Sequence, residues 1–245
     1  MSGESKISEV PRRSWIPHPL WLLVVAVVLI GVGVACSLFF HPTANLIRDV
    51  KAYGGIVNSQ YDGPEFLSDY FDEERLTMFH QIAWIDLEKT AVTNDWIQRL
   101  GGRRDIEYLS LARTRVGDAG FANLKTLPNL QNLDLSGTQV GSDALKFLRE
   151  LPRLKNLNLS DTRVGDAGVA NLKDLLNLES LDLSDSQIGD DALSSLSGLT
   201  KLGHLDLAGT RVGDVGIANL KDLPNLRSLR LVGTQIRSEE HTSEL

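Results

Sequence analysis

The sequence predicts an α/β solenoid preceded by a single membrane-spanning helix, and three observations predict it. A 24-residue pattern recurs in phase from Ile82 to Ile236. Within each copy the apolar spacing changes from strand-like alternation to helical spacing. Ahead of the array, Trp21–Phe40 runs for twenty residues without a charge.

Composition narrows the classes first. A chain of 245 residues with 42% hydrophobic content has room for one sizeable domain or two small ones. Its net charge of −7 argues against nucleic-acid binding, which needs a basic surface to neutralise phosphates. Cys36 is the only cysteine, so neither a disulfide framework nor a cysteine-based metal site can form.

As a helix, residues 21–40 would span about 30 Å, the thickness of a bilayer's hydrocarbon core. Arg12 and Arg13 precede this stretch, Trp15 and Trp21 sit where interfacial aromatics belong, and the later Arg48 and Lys51 are diluted by Asp49. The positive-inside bias therefore puts residues 1–20 in the cytoplasm and everything after Phe40 outside it. The expected location is the cell membrane, with a single-pass signal anchor and extracytoplasmic repeats. A cleaved signal peptide has a shorter apolar core, of about 7–15 residues, and a small-x-small site. "GVAC" at Gly33–Cys36 is the nearest thing to a lipoprotein processing site, but Gly33 stands where leucine is usual. A retained anchor is the expectation.

Residues 41–81 are expected to cap the array, because a repeat core cannot end with its apolar layer facing water. "ANLIRDVKAYGG" places Leu46, Ile47, Val50 and Tyr53 at helical spacing, with Gly54–Gly55 as the stop. "IVNSQY" suits a strand, and Gly63–Pro64 marks a turn. The alternative is a small separate binding domain, for which the segment is short.

The solenoid itself occupies residues 82–236, six full repeats and part of a seventh. Ile82, Ile106, Leu130, Leu154, Leu178, Leu202 and Leu226 each open an apolar-x-x-apolar-x-Leu pattern, as in "LQNLDL" and "LESLDL". Three residues past the last leucine stands Thr90, Thr114, Thr138, Thr162, Ser186, Thr210 or Thr234. The second half of a copy has helical spacing, such as Val169, Leu172 and Leu175. Its opening position holds Asn94, Asp118, Ser142, Asp166, Asp190 or Asp214, all residue types that cap helix N-termini. A 48-residue period lies on top: "TRVGDAG" or "TRVGDVG" alternates with "TQVGSDA" and "SQIGDDA", so Arg115, Arg163 and Arg211 alternate with Gln139, Gln187 and Gln235. Duplication of a two-repeat unit is the simplest cause.

These residues resemble leucine-rich repeats, in the L-x-x-L-x-L-x-x-T form of a bacterial class whose units read T-x-V-x-D-x-G-L-x-x-L. The resemblance covers Ile82 to Ile236. It implies a right-handed superhelix with a parallel sheet on the concave side and short helices or turns on the convex side. It also implies that the buried threonine hydroxyls join neighbouring turns.

Arg237–Leu245, "RSEEHTSEL", match no repeat position and read as the translation of a common sequencing-library adapter. The expectation is that residues 237–245 are an artefact and that the natural chain continues.

In such a solenoid the outward strand positions form two columns. One holds Trp84, Tyr108, Asn132, Asn156, Ser180, His204 and Ser228; the other holds Asp86, Ser110, Asp134, Asn158, Asp182, Asp206 and Arg230. A polar, mildly acidic ladder of this kind suits an extended protein, peptide or glycan partner. Its aromatics and terminal arginine are the expected anchors. Ser180, His204 and Asp206 superficially offer a nucleophile, base and carboxylate, but alternate strand residues lie about 6–7 Å apart and an open sheet lacks oxyanion donors. Asp182, His204 and Asp206 are likewise a poor metal set. No catalytic, cofactor or metal site is expected. The leading reading is therefore a membrane-anchored binding protein rather than an enzyme. Two others stay open: a structural or adhesive cell-envelope element that associates through its own repeats, or the N-terminal part of a larger enzyme or signalling protein.

Overall fold

A computed structural model describes residues 43–63, 65, 76 and 80–236. The expectations for residues 21–40 and 237–245, and for much of 64–79, fall outside them. Among the described residues no helix is long and apolar enough to cross a membrane.

The first element is the helix of residues 43–52, α1. It buries Leu46, Ile47 and Val50, whereas Tyr53 lies just past it and is 45% exposed, so the expected apolar face is one residue shorter. The Gly54 N–H donates to the Lys51 carbonyl and the Gly55 N–H to the Val50 carbonyl. With Gly54 at φ +80° this is a Schellman stop, in which the left-handed residue must lack a Cβ to be unstrained.

Strand β1, Ile56–Tyr61, then pairs antiparallel with β2, His80–Asp86, through a bulge between Asn58 and Ser59. The first repeat strand thereby gains a partner on its outer side, which moves the sheet edge from β2 to β1. Polar contacts tie α1 to the first repeats. Arg103 pairs with Asp105 at 2.6 Å and reaches the Thr43 hydroxyl of α1, while Asp105 accepts the Ile82 N–H at 2.8 Å. Arg99 also pairs with Asp49 of α1.

From β2 onward the strands are parallel and pair in strict chain order: β3 Tyr108–Ser110, β4 Asn132–Asp134, β5 Asn156–Asn158, β6 Ser180–Asp182, β7 His204–Asp206 and β8 Ser228–Arg230. Each residue pairs with the one 24 positions on, so Leu109, Leu133, Leu157, Leu181 and Leu205 stack in one column. These leucines are at most 2% exposed. Burying each such side chain is worth about 1.5–3 kcal/mol, and each contacts only adjacent turns.

The return segments are short: α2 Asn94–Ile97, α3 Asp118–Leu124, α4 Asp166–Val169, α5 Asp190–Ser194 and α6 Asp214–Ile217. Between α3 and α4, Ala144–Glu150 is entirely 3₁₀. Helices this short have no stability of their own and are held by packing.

Two hydrogen-bond expectations are overturned. The helix N-caps are Thr93, Gly117, Gly165, Gly189 and Gly213, and none makes a side-chain cap bond. The Asx and Ser residues stand one position further in, and there they face the following repeat. Asn94 accepts the Gly117 N–H, Asp118 that of Gly141, Ser142 that of Gly165, Asp166 that of Gly189 and Asp190 that of Gly213, at 2.7–3.1 Å. They staple turns together rather than cap helices.

The threonines do the opposite of what was expected. Each hydroxyl donates within its own turn, to the carbonyl three residues back, as Thr138 does to Leu135 and Thr162 to Leu159 at 2.6 Å. That carbonyl closes the turn after the strand, within reach of the local hydroxyl, while backbone N–H groups span the turns instead. Leu111, for example, donates to Asp134 and Arg113 to Ser136. The residue before each of the six threonines and Ser186 is left-handed: Lys89, Arg113, Asp161 and Asp185 at φ 52° to 58°, with Gly137, Gly209 and Gly233 at 63° to 77°.

The 48-residue period has a packing correlate. Gly120, Gly168 and Gly216 alternate with Ala144 and Ala192. A Cβ on Gly168 would lie 2.9 Å from the Ser142 Cα, and one on Gly216 would lie 3.0 Å from the Asp190 Cα. Every second pair of turns is therefore stacked with its backbones in close approach.

Candidate functional site: the concave sheet face

Strand register brings both sequence-derived columns together on one face. Trp84, Tyr108, Asn132, Asn156, Ser180, His204 and Ser228 are consecutive partners across β2 to β8, as are Asp86, Ser110, Asp134, Asn158, Asp182, Asp206 and Arg230. The first column opens on an aromatic stack: the rings of Trp84 and Tyr108 lie 5.1 Å apart and 21° from parallel. The Tyr108 hydroxyl titrates above its ordinary value, chiefly because it is partly buried and secondarily because Asp86 and Asp134 lie nearby. Asn156 continues the column by donating its amide to the Asn132 side chain at 2.5 Å.

The second column is less open than alternation suggests. Ser110 keeps its place in this column, between Asp86 and Asp134, but is only 3% exposed, so it faces outward without offering surface. Small side chains can sink between flanking residues where larger ones cannot. Asp86, Asp134, Asn158, Asp182 and Asp206 are half-buried, and each uses Oδ1 to accept the N–H two residues on, from Glu88, Ser136, Ser160, Ser184 and Ala208 at 2.8–3.0 Å. These Asx turns end each strand and occupy Oδ1 of each side chain. The Arg230 guanidinium stands 3.6 Å from Oδ2 of Asp206.

Tyr108, Asn132, Asp134, Asn156, Asn158 and Asp182 surround a shallow depression of about 270 Å³ at mid-sheet. A second, of about 310 Å³, lies beside His204, bounded by Glu179, Lys201 and Arg227. Among the described residues no hydrogen bond joins Ser180, His204 and Asp206, and no group of three His, Cys, Asp or Glu side chains could hold a metal ion.

The sequence columns stop one strand short of the observed face. In β1, Ile56 is the register partner of Asp86 and Asn58 that of Trp84, so both extend the face, and Ile56 is 63% exposed. Alternation in "IVNSQY" carried the signal, but not the pairing partner. On the opposite surface Lys125, Lys146, Phe147 and Arg149 line an open hollow of about 650 Å³, with Lys146 5.2 Å above the Phe147 ring.

Comparison with known proteins agrees with this architecture. Residues 152–212 match the family described as leucine rich repeat. No curated protein matches the chain. Among solved structures it is similar to internalin C2 of Listeria monocytogenes, at 25% identity and a TM-score of 0.56, over 84% of this chain and 80% of that one. An internalin F structure from the same organism aligns at 20% identity and a TM-score of 0.36, over 54% of this chain and 49% of that one. The chain thus folds as a leucine-rich-repeat solenoid with a parallel sheet, like that of bacterial internalin C2.

Proposed function

We propose that the chain is a membrane-tethered binding protein whose concave face captures a protein partner outside the cytoplasm. Residues 21–40 would serve as the anchor. The observation that carries this reading is the Trp84–Tyr108 stack at the head of a half-exposed polar ladder. Stacked aromatics give a partner a large, rigid contact area at low entropic cost, and the Asx ladder beside them offers half-exposed polar side chains at regular intervals. The leucine-rich-repeat fold supports the same reading, because a curved sheet presents an extended surface suited to a macromolecule rather than a small substrate.

In-cell photo-crosslinking tests it. A photoreactive residue at Asn156, exposed on the sheet face, is compared with one at Lys173, exposed on the return segments. The proposal predicts a discrete protein adduct from position 156 and none of the same mass from position 173. Adducts from position 173 alone, or from neither, would overturn it.

A further inference from the structure

We propose that the concave face takes an extended cationic segment in the polyproline-II conformation, lying across the strands with a basic side chain at every third residue. This rests on the concave-face reading and specifies the partner's chemistry.

The charge on the face is one-sided. Its two columns carry Asp86, Asp134, Asp182 and Asp206 against the single arginine Arg230. The first three of these carboxylates are also regularly placed. They stand on alternate strands, β2, β4 and β6, with uncharged Ser110 and Asn158 between them. At the usual strand separation, successive carboxylates are about 9.6 Å apart. A polyproline-II chain returns to the same face every three residues, about 9.3 Å along its axis. A β-strand ligand returns after about 6.7 Å and an α-helix after about 5.4 Å, so both fall out of step with the ladder.

Each carboxylate is presented for this use. Oδ1 is taken by the Asx turn, which fixes each half-buried side chain and leaves Oδ2 of Asp86, Asp134 and Asp182 for a ligand. The chain itself supplies an example of the contact. Asp206 is held in the same turn, and its Oδ2 already receives the guanidinium of Arg230. The Trp84–Tyr108 stack stands in the neighbouring column, one ring beside Asp86 in β2. Flat aromatic faces of this kind pack against pyrrolidine rings and guanidinium planes, which is how proline-rich segments are held elsewhere.

The test uses the full chain in detergent micelles and fluorescence anisotropy of labelled peptides. One peptide repeats Arg-Pro-Pro; a second has the same composition with its arginines grouped at one end. The spaced peptide is expected to bind at least several-fold more tightly. Asp134→Asn keeps the Asx turn, because an amide oxygen accepts the same N–H, and removes only the charge. Each of Asp86→Asn, Asp134→Asn and Asp182→Asn is expected to weaken the spaced peptide roughly two- to fivefold, and the triple variant by roughly tenfold to a hundredfold. Equal binding of the grouped peptide, or unchanged affinity in the triple variant, would overturn the inference. If position 156 still cross-links its cellular partner in that case, the concave-face reading stands and the cationic partner alone is wrong. If that cross-link is also missing, both fall.

Discussion

Replacing Gly168 by alanine sets two effects of known sign against each other. Gly168 lies inside α4, where alanine is favoured over glycine by about 1 kcal/mol on helix propensity. The added Cβ would, however, stand 2.9 Å from both the Cα and the Oγ of Ser142 and 3.1 Å from its Cβ. Two of those atoms sit at or next to the backbone of the preceding turn, so no side-chain tip can swing away. The turns must part by roughly 0.5–1 Å, which also strains the bond from the Gly165 N–H to Ser142. Overpacking costs about 1–3 kcal/mol, and because backbone atoms stand on the clashing side the cost here falls at about 2–3 kcal/mol. The steric effect therefore wins, and Gly168→Ala is expected to lose about 1–2 kcal/mol net, or roughly 2–8 °C in Tm for a chain of this size. Thermal unfolding of the full chain in detergent, followed by circular dichroism, measures it. Gly198→Ala is the control: nothing lies within 4 Å of its Cβ, so it should be neutral or stabilising. A Gly168→Ala variant as stable as the wild type would refute the claim that these turns stack in close contact.

Four further outcomes follow from the same structure. Asp166→Ala should cost about 1–2 kcal/mol by leaving the Gly189 N–H without its acceptor, whereas Asp166→Asn should be nearly neutral; urea midpoints separate them. Thr162→Val keeps the shape but removes the donor to the Leu159 carbonyl in a buried site, for a loss of about 1 kcal/mol in the same assay. Arg113→Gly should raise stability slightly, by about 0.5 kcal/mol, because relief of a left-handed non-glycine residue exceeds the entropy that glycine adds to the unfolded chain. The raised pKa of Tyr108 means that the unfolded chain loses this proton first. Its contribution to stability is complete below pH 10.0 and is lost as pH rises through the folded-state value, and Tyr108→Phe should flatten that part of the stability profile.

The two halves of the architecture were unequally legible. The strands, their register and the buried leucines follow from a fixed 24-residue phase, since a residue that repeats in phase must stack on its copies. The outward columns follow by alternation for the same reason, but the depth of Ser110 does not, because alternation gives direction alone. The bonds between turns were not legible. An aspartate at the start of a helix reads as a cap, and only the stacking of the next turn shows that Asp118 or Asp166 serves Gly141 or Gly189 instead. The left-handed column was half-written in the chain: Gly137, Gly209 and Gly233 share a phase with Asp161 and Asp185, but Lys89 and Arg113 conceal it. The antiparallel start of the sheet needed the pairing of β1 with β2, which "IVNSQY" alone does not specify.

The most direct test of the central claim is the affinity of the partner captured from position 156 for three forms of the full chain. These are the wild type, the Trp84→Ala/Tyr108→Ala pair, and Lys173→Glu on the return segments. Loss of an aromatic anchor typically costs about 2 kcal/mol or more, which is thirtyfold. The account predicts that the paired variant binds at least that much more weakly while Lys173→Glu binds as the wild type does. Normal binding by the paired variant together with a loss in Lys173→Glu would place the interaction on the other face and contradict it.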